Sequence, residues 1–181
     1  ARLAAAPHSR RSQAPTAEQI QYFHHRFSVE NFNATWELIE KSNRSADDDA
    51  AMLQAAMASR CHWGVVGGPE QVATGDWQIS HVAVLLGLGD LAWRYAQRSL
   101  ALAEAEGFTD WRMASILEGV ARADAANGDT AAKQKYYALA NDAVAANAAG
   151  DARDVIARRL ATVPKTWAAH CEGGKRAAAA G

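Results

Sequence analysis

Leu86-Gly87-Leu88-Gly89-Asp90 and Ala126-Asn127-Gly128-Asp129 decide the fold. Each is a short glycine break between two stretches of helical periodicity. The two breaks lie about 40 residues apart, the spacing of helical hairpins stacked side by side. Ahead of the first break, the segment opening at Pro69, a residue suited to a first helical turn, carries Val72, Trp77, Ile79, Val82 and Leu85-Leu86. Beyond it, Leu91 to Glu106 presents Leu91, Tyr95, Leu100 and Leu102 among small residues, and Gly107 closes that helix.

Working outward, Thr109 is expected to cap a helix from Asp110 to Ala126 with Trp111, Ile116, Leu117 and Val120. Thr130 to about Ala148 follows, with Tyr136, Tyr137, Leu139 and Val144. Gly150 separates it from a last helix, Asp151 to Thr162, which Pro164 ends. Toward the N-terminus, Ser45-Ala46-Asp47-Asp48-Asp49 is a capping serine followed by acids, which the helix dipole favours in a first turn. That helix runs through Met52, Leu53, Ala56 and Met57 toward Trp63 and ends at Gly64 or Gly67-Gly68. Thr16 to Lys41 also reads as helix, anchored by Phe23, Phe27, Trp36 and Leu38-Ile39, with Ser28 or Asn31 to Asn33 expected to break it in two.

Composition agrees. Of 181 residues 43 are Ala, the best helix former, and no proline but Pro69 falls between Thr16 and Val163. Paired helices approach closely only where small residues cross, and Ser80, Ala83, Ala92, Ala96, Ser99, Ala121, Ala125 and Ala140 stand at suitable offsets. The expectation is an all-α domain of about six or seven helices over residues 16–163, in stacked antiparallel hairpins. It is flanked by a flexible basic arm (1–15) and a flexible tail (164–181), with a short helix at Thr166 to His170.

Charge narrows the partners. Six of the 19 Lys and Arg lie in the two ends, leaving 13 in the body against 19 of the 20 acids, a net of −6. An acidic body is a poor match for a phosphate backbone, so no nucleic-acid partner is expected. Val82-Ala83-Val84-Leu85-Leu86, the longest apolar run, is far short of the ~20 residues of a membrane span. Cys61 and Cys171 have no zinc or redox spacing and read as free thiols of a reducing compartment, which points to the cytoplasm. Alternatively, the Arg- and Ser-bearing, acid-free N-terminal stretch is a transit-peptide remnant, which would place the chain in an organelle matrix or lumen.

The segment Asp76 to Ala103 resembles a tetratricopeptide repeat, with Ile79-Ser80, Leu86-Gly87, Ala92 and Ala96 at its signature positions. Leu117 to Ala140 resembles another, through Val120-Ala121, Gly128-Asp129, Tyr137 and Ala140. Ala83 and Asp124 replace the usual Tyr, Lys133 takes a small position, and no Pro ends either unit. Over about residues 33–162, Ala58-Ser59-Arg60-Cys61-His62-Trp63, Gly75-Asp76-Trp77-Gln78-Ile79-Ser80-His81-Val82 and Leu86-Gly87-Leu88-Gly89 resemble an uncharacterised, mostly bacterial family of tetratricopeptide-like proteins. That resemblance implies a fold and no activity. Its register implies a concave face holding Thr74, Trp77, His81, Val84 and Leu85 from one unit and Ser115, Glu118, Arg122, Ala125 and Ala126 from the next.

Trp77, His81, Val84, Glu118 and Arg122 are therefore the candidate partner groove, a mixed aromatic and charged surface suited to a peptide or protein helix. The competing reading packs these residues beneath the N-terminal helices. His62 and Trp63 are a secondary candidate surface.

Imidazole and thiolate make Cys61, His62 and His81 the alternative: a small enzyme or metal-dependent sensor. Against it, adjacent helical residues point about 100° apart, so Cys61 and His62 cannot readily share one ion. Mid-helix amides at Ser59, Cys61 and His62 are already bonded and offer no oxyanion site. Gly64 to Gly75 lacks the Lys-Ser/Thr that grips phosphate. The sequence thus points to a non-catalytic scaffold, adaptor or accessory subunit without cofactor or metal. It would bind a protein or peptide partner in a larger assembly or, on a third reading, a second copy of itself.

Overall fold

The computed structural model describes residues 14–147 and 151–164, so the expected arm before residue 14, the break at Gly150, and the tail with its short helix lie outside the described residues. The described chain is all-α. Seven helices follow in order: α1 (Ala17–Glu40), α2 (Ala46–Val66), α3 (Pro69–Leu85), α4 (Gly89–Ala105), α5 (Trp111–Ala126), α6 (Thr130–Asn147) and α7 (Asp151–Ala161), with no strand among the described residues.

Three hairpins, α1/α2, α3/α4 and α5/α6, make the most extensive contacts; α3 also packs on α5, and α7 returns onto α5 and α6. The turns after α3, α4 and α5 are built alike. Gly87, Gly107 and Gly128 have φ of 73°, 68° and 81°. In each, the next residue's amide reaches back to a carbonyl five positions earlier, as Leu88 N to Ala83 O at 2.8 Å, Phe108 N to Ala103 O at 2.9 Å and Asp129 N to Asp124 O at 2.9 Å. This closure needs a left-handed residue that only glycine adopts without strain.

Three local expectations change. α1 is one uninterrupted helix: Ser28 Oγ donates to His25 O, Asn31 Nδ2 to Phe27 O and Thr35 Oγ1 to Asn31 O, so the residues expected to break the helix bond back onto its preceding turn. α4 starts two residues before Leu91, without a side-chain cap. Asp110, not Thr109, caps α5, its carboxylate accepting from Arg112 N at 2.9 Å.

All eight small residues expected at helix crossings are buried. Two of them also bond: Ser80 Oγ donates to Ala92 O and Ser99 Oγ to Ala73 O, each at 2.8 Å, tying α3 and α4 reciprocally. Ser59 Oγ similarly donates to Ser28 O between α2 and α1. One apolar core runs through α3 to α7 around Val84, Ile116, Val120 and Ile156; a second joins Met52 and Ala56 of α2 to Ile79 and Val82 of α3. Asp76 joins the hairpins by charge, with Arg60 Nε at 2.7 Å and Arg98 Nε at 3.4 Å. Burial pushes its carboxyl up from the ordinary range, against the pull of the two guanidiniums.

Candidate functional site

α5 is enclosed on every side: each residue from Ala114 to Ala126 is buried. Glu118 and Arg122, one turn apart on it, form a buried ion pair in which Arg122 Nε donates to Glu118 Oε1 at 2.8 Å. The remaining Arg122 donors go to α7 and its end. Nη2 reaches Arg159 O at 2.8 Å and Thr162 Oγ1 at 3.0 Å, and Nη1 reaches Thr162 O at 3.4 Å. Glu118 and Arg122 thus act as a clamp holding α7 on α5, rather than as an open binding surface.

The aromatic half of the expected groove is covered from the other side. α1 lays Trp36 across α3, with ring centroids 5.9 Å from Trp77 and 5.8 Å from His81, and Gln78 Nε2 of α3 donates to Phe32 O of α1 at 3.1 Å. Trp77 is 6% exposed, and its indole lies on α5 at Gly119, where a Cβ would stand 2.5 Å from Trp77 Cδ1. Gly119 is a requirement of this approach that sequence reasoning missed. Burial, reinforced by the charges of Arg122 and Arg159, lowers the His81 imidazole to about 3, so it is neutral in ordinary buffers. Trp77 Nε1, His81 Nδ1 and Glu118 Oε2 are buried without a hydrogen-bond partner among the described residues.

Trp77, His81, Glu118 and Arg122 therefore meet in one layer beneath α1 and α7. Val84 does not join them, since it packs in the α3 to α7 core. What opens to the surface is a neighbouring cleft of about 230 Å³. Its aromatic walls are Phe32, Trp36, Trp77 and Trp111; Thr74, Ser115 and Ile116 complete the lining, and Arg112 and Arg159 bring positive charge. Trp111 stands at the rim, 48% exposed. The Arg159 guanidinium carbon is 4.9 Å from both the Trp36 and the Trp77 ring centroids. Arg112, in contrast, is held by Asp110 and Glu70.

The secondary candidates lie elsewhere. His62 meets His24 of α1, Nδ1 to Nδ1 at 2.9 Å, and lies tilted against Phe27 with ring centroids 5.5 Å apart; Trp63 meets His25 edge to face. This contact spans 38 residues and had no local signal. It borders a shallow apolar hollow of about 400 Å³ lined by Ile20, Phe23 and Phe27. Cys61 is exposed, whereas His81 lies under Trp36, so the Cys61, His62 and His81 set does not converge. Among the described residues no three metal-ligating side chains cluster, and no helix is long and apolar enough to cross a membrane.

No protein-family model matches the chain, and neither curated proteins nor solved structures provide a similar one.

Proposed function

We propose that the chain is a non-catalytic helical scaffold, an adaptor or accessory subunit, which receives a protein partner in the cleft between α1, α3, α5 and α7. The observation that carries this reading is the convergence of Phe32, Trp36, Trp77 and Trp111 with Arg159 around an open concavity. Trp and Arg supply large contact area and directed hydrogen bonds at low conformational cost, the combination that dominates binding hot spots. The tetratricopeptide-like reading is supported by the order of contacts, in which α3 pairs with α4, α5 with α6, and α3 also with α5.

A photo-crosslinking residue at Trp111 tests the proposal against the same residue at Leu139, an exposed position on α6. A discrete crosslinked protein from Trp111 and none from Leu139 is the expected result; identical patterns, or none from either, would remove the cleft as the partner site. The exposed α1 face, with Ile20, Tyr22, Phe23 and Phe27 each at least 40% exposed, favours a second copy of the chain as an additional partner. A monomer mass by sedimentation at high concentration would exclude that reading.

A further inference from the structure

Arg112 at the start of α5, Arg122 near its end and Arg159 on α7 differ in what their donors do. Arg122 gives Nε and both terminal nitrogens to Glu118, the Arg159 and Thr162 carbonyls and the Thr162 hydroxyl. Arg112 is bound to the carboxylates of Asp110 and Glu70. Arg159 is different: its charge rests on the π faces of Trp36 and Trp77, which supply no lone pair for an N–H group, and its guanidinium donates to no acceptor among the described residues. Its backbone is nonetheless fixed, since Arg159 O accepts from both Arg122 Nη2 and Thr162 Oγ1 at 2.8 Å. A half-buried guanidinium set on an anchored backbone over two indoles, at the wall of an aromatic cleft and with donors that meet no acceptor among the described residues, is suited to bind an anion.

We infer that the cleft is a receptor for a single carboxylate carried beside an aromatic or apolar side chain, as an acidic segment of a protein partner presents it, with Arg159 as the anion-binding residue. The inference rests on the scaffold reading and names its chemistry. The aromatic walls fit a flat apolar body, and the planar fork of Arg159 fits a carboxylate two-pronged. A dianion such as phosphate fits less well, because Arg159 is the one guanidinium of the three that meets no acceptor among the described residues, and the acids Glu70 and Asp110 hold Arg112, the other arginine of the lining. Glu118 attracts the Arg159 charge, but it already pairs with Arg122, and no hydrogen bond joins Arg159 to either of its oxygens.

The test uses the full chain labelled with ¹⁵N-tryptophan, the indole signals of Trp36 and Trp77 being assigned by substitution. The probes are the peptide Ac-Gly-Phe-Glu-Gly-NH₂, its Gln counterpart, and free 3-phenylpropionate. The Glu peptide is expected to shift both signals and to bind about tenfold or more tightly than the Gln peptide, the usual size of a charged hydrogen-bond contribution. Arg159→Met should erase that preference with little change in melting temperature, and Arg159→Lys should restore part of it. Equal affinity for the two peptides, or a preference surviving in Arg159→Met, overturns the inference. A response to 3-phenylpropionate alone overturns the protein source. If Glu172→Gln shifts the same signals in the unliganded chain, the carboxylate belongs to the protein's own tail, which overturns an external occupant. Should the peptides fail while crosslinking at Trp111 still captures a discrete partner, the scaffold reading stands and only the carboxylate chemistry is lost.

Discussion

α1 and α5 show that size and burial are separate properties of a helix. α1 carries large rings yet buries only Ser28 and Thr35, leaving Tyr22 60% exposed and Phe23 44% exposed. α5 is mostly small, with five alanines and a glycine from Ala114 to Ala126, and all thirteen of those residues are buried. Small side chains let neighbours close around α5 from α3, α4, α6 and α7. That closeness carries Glu118, Arg122 and Asp124 into the interior with it. α1, packed chiefly on α2, leaves one aromatic face outside. A helix is buried by how many neighbours can reach it, not by how hydrophobic it is.

Substitutions should break this contrast unevenly. Glu118→Ala leaves Arg122 buried without its countercharge, and should cost about 3–5 kcal/mol in chemical denaturation, the largest effect expected. A loss near that of a surface carboxylate would mean α5 is open to water. Gly119→Ala sets a methyl against the Trp77 indole and should cost roughly 1–3 kcal/mol while changing near-ultraviolet circular dichroism. An unchanged spectrum would place Trp77 elsewhere.

Acid dependence separates the buried groups further. His81, held near 3, stays neutral while the unfolded chain gains a proton, so its effect is a loss of stability as pH falls from about 6.5 toward 3. Asp124 is raised to about 6, chiefly by burial and then by Asp129, so its effect is opposite: stability is lost as pH rises from about 3.8 through 6. Asp76, also raised, acts in the Asp124 direction. His81 thus opposes Asp124 and Asp76 between about pH 4 and 6. Relative to the parent chain, His81→Phe should tilt the stability curve downward with rising pH there and Asp124→Asn should tilt it upward, each by about 1 kcal/mol per pH unit. Parallel curves for the two variants would refute both assignments. On α1, Phe23→Ala should move stability by less than about 0.5 kcal/mol, the smallest effect expected, and a larger loss would show that the face is covered.

The hairpins were legible because their signals are local. Gly87 and Gly128 mark turns that only a left-handed residue closes, and Ser45 with its acids marks a helix start. Spacing of i, i+4 within α3 and α5 puts Trp77 with His81 and Glu118 with Arg122, and the register implied by the tetratricopeptide resemblance set the two pairs side by side. Their cover could not be read. Trp36 reaches Trp77 across 41 positions, and Arg122 reaches Thr162 across 40; such contacts depend on how α1 and α7 fold back, which no local pattern encodes. Arg159 was passed over for the same reason, because beside Arg158 in the last turn of α7 it reads as an ordinary complement to the helix dipole. α1 was misjudged at Ser28 and Asn31 because the same hydroxyl and amide groups can either interrupt a helix or bond along it, and packing on α2 selects the second.

The clamp on α7 also bears on the order in which the chain matures. Arg122 finds three of its acceptors at residues 159 and 162, so during synthesis α5 leaves the ribosome with its guanidinium still seeking them. Until α7 emerges, Glu118 alone neutralises that cation, and Trp36 and Trp77 lack the Arg159 guanidinium that lies over them. Docking of α7 is then the event that completes the cleft, and a stalled nascent chain ending before it should offer chaperones the aromatic layer that the finished protein hides.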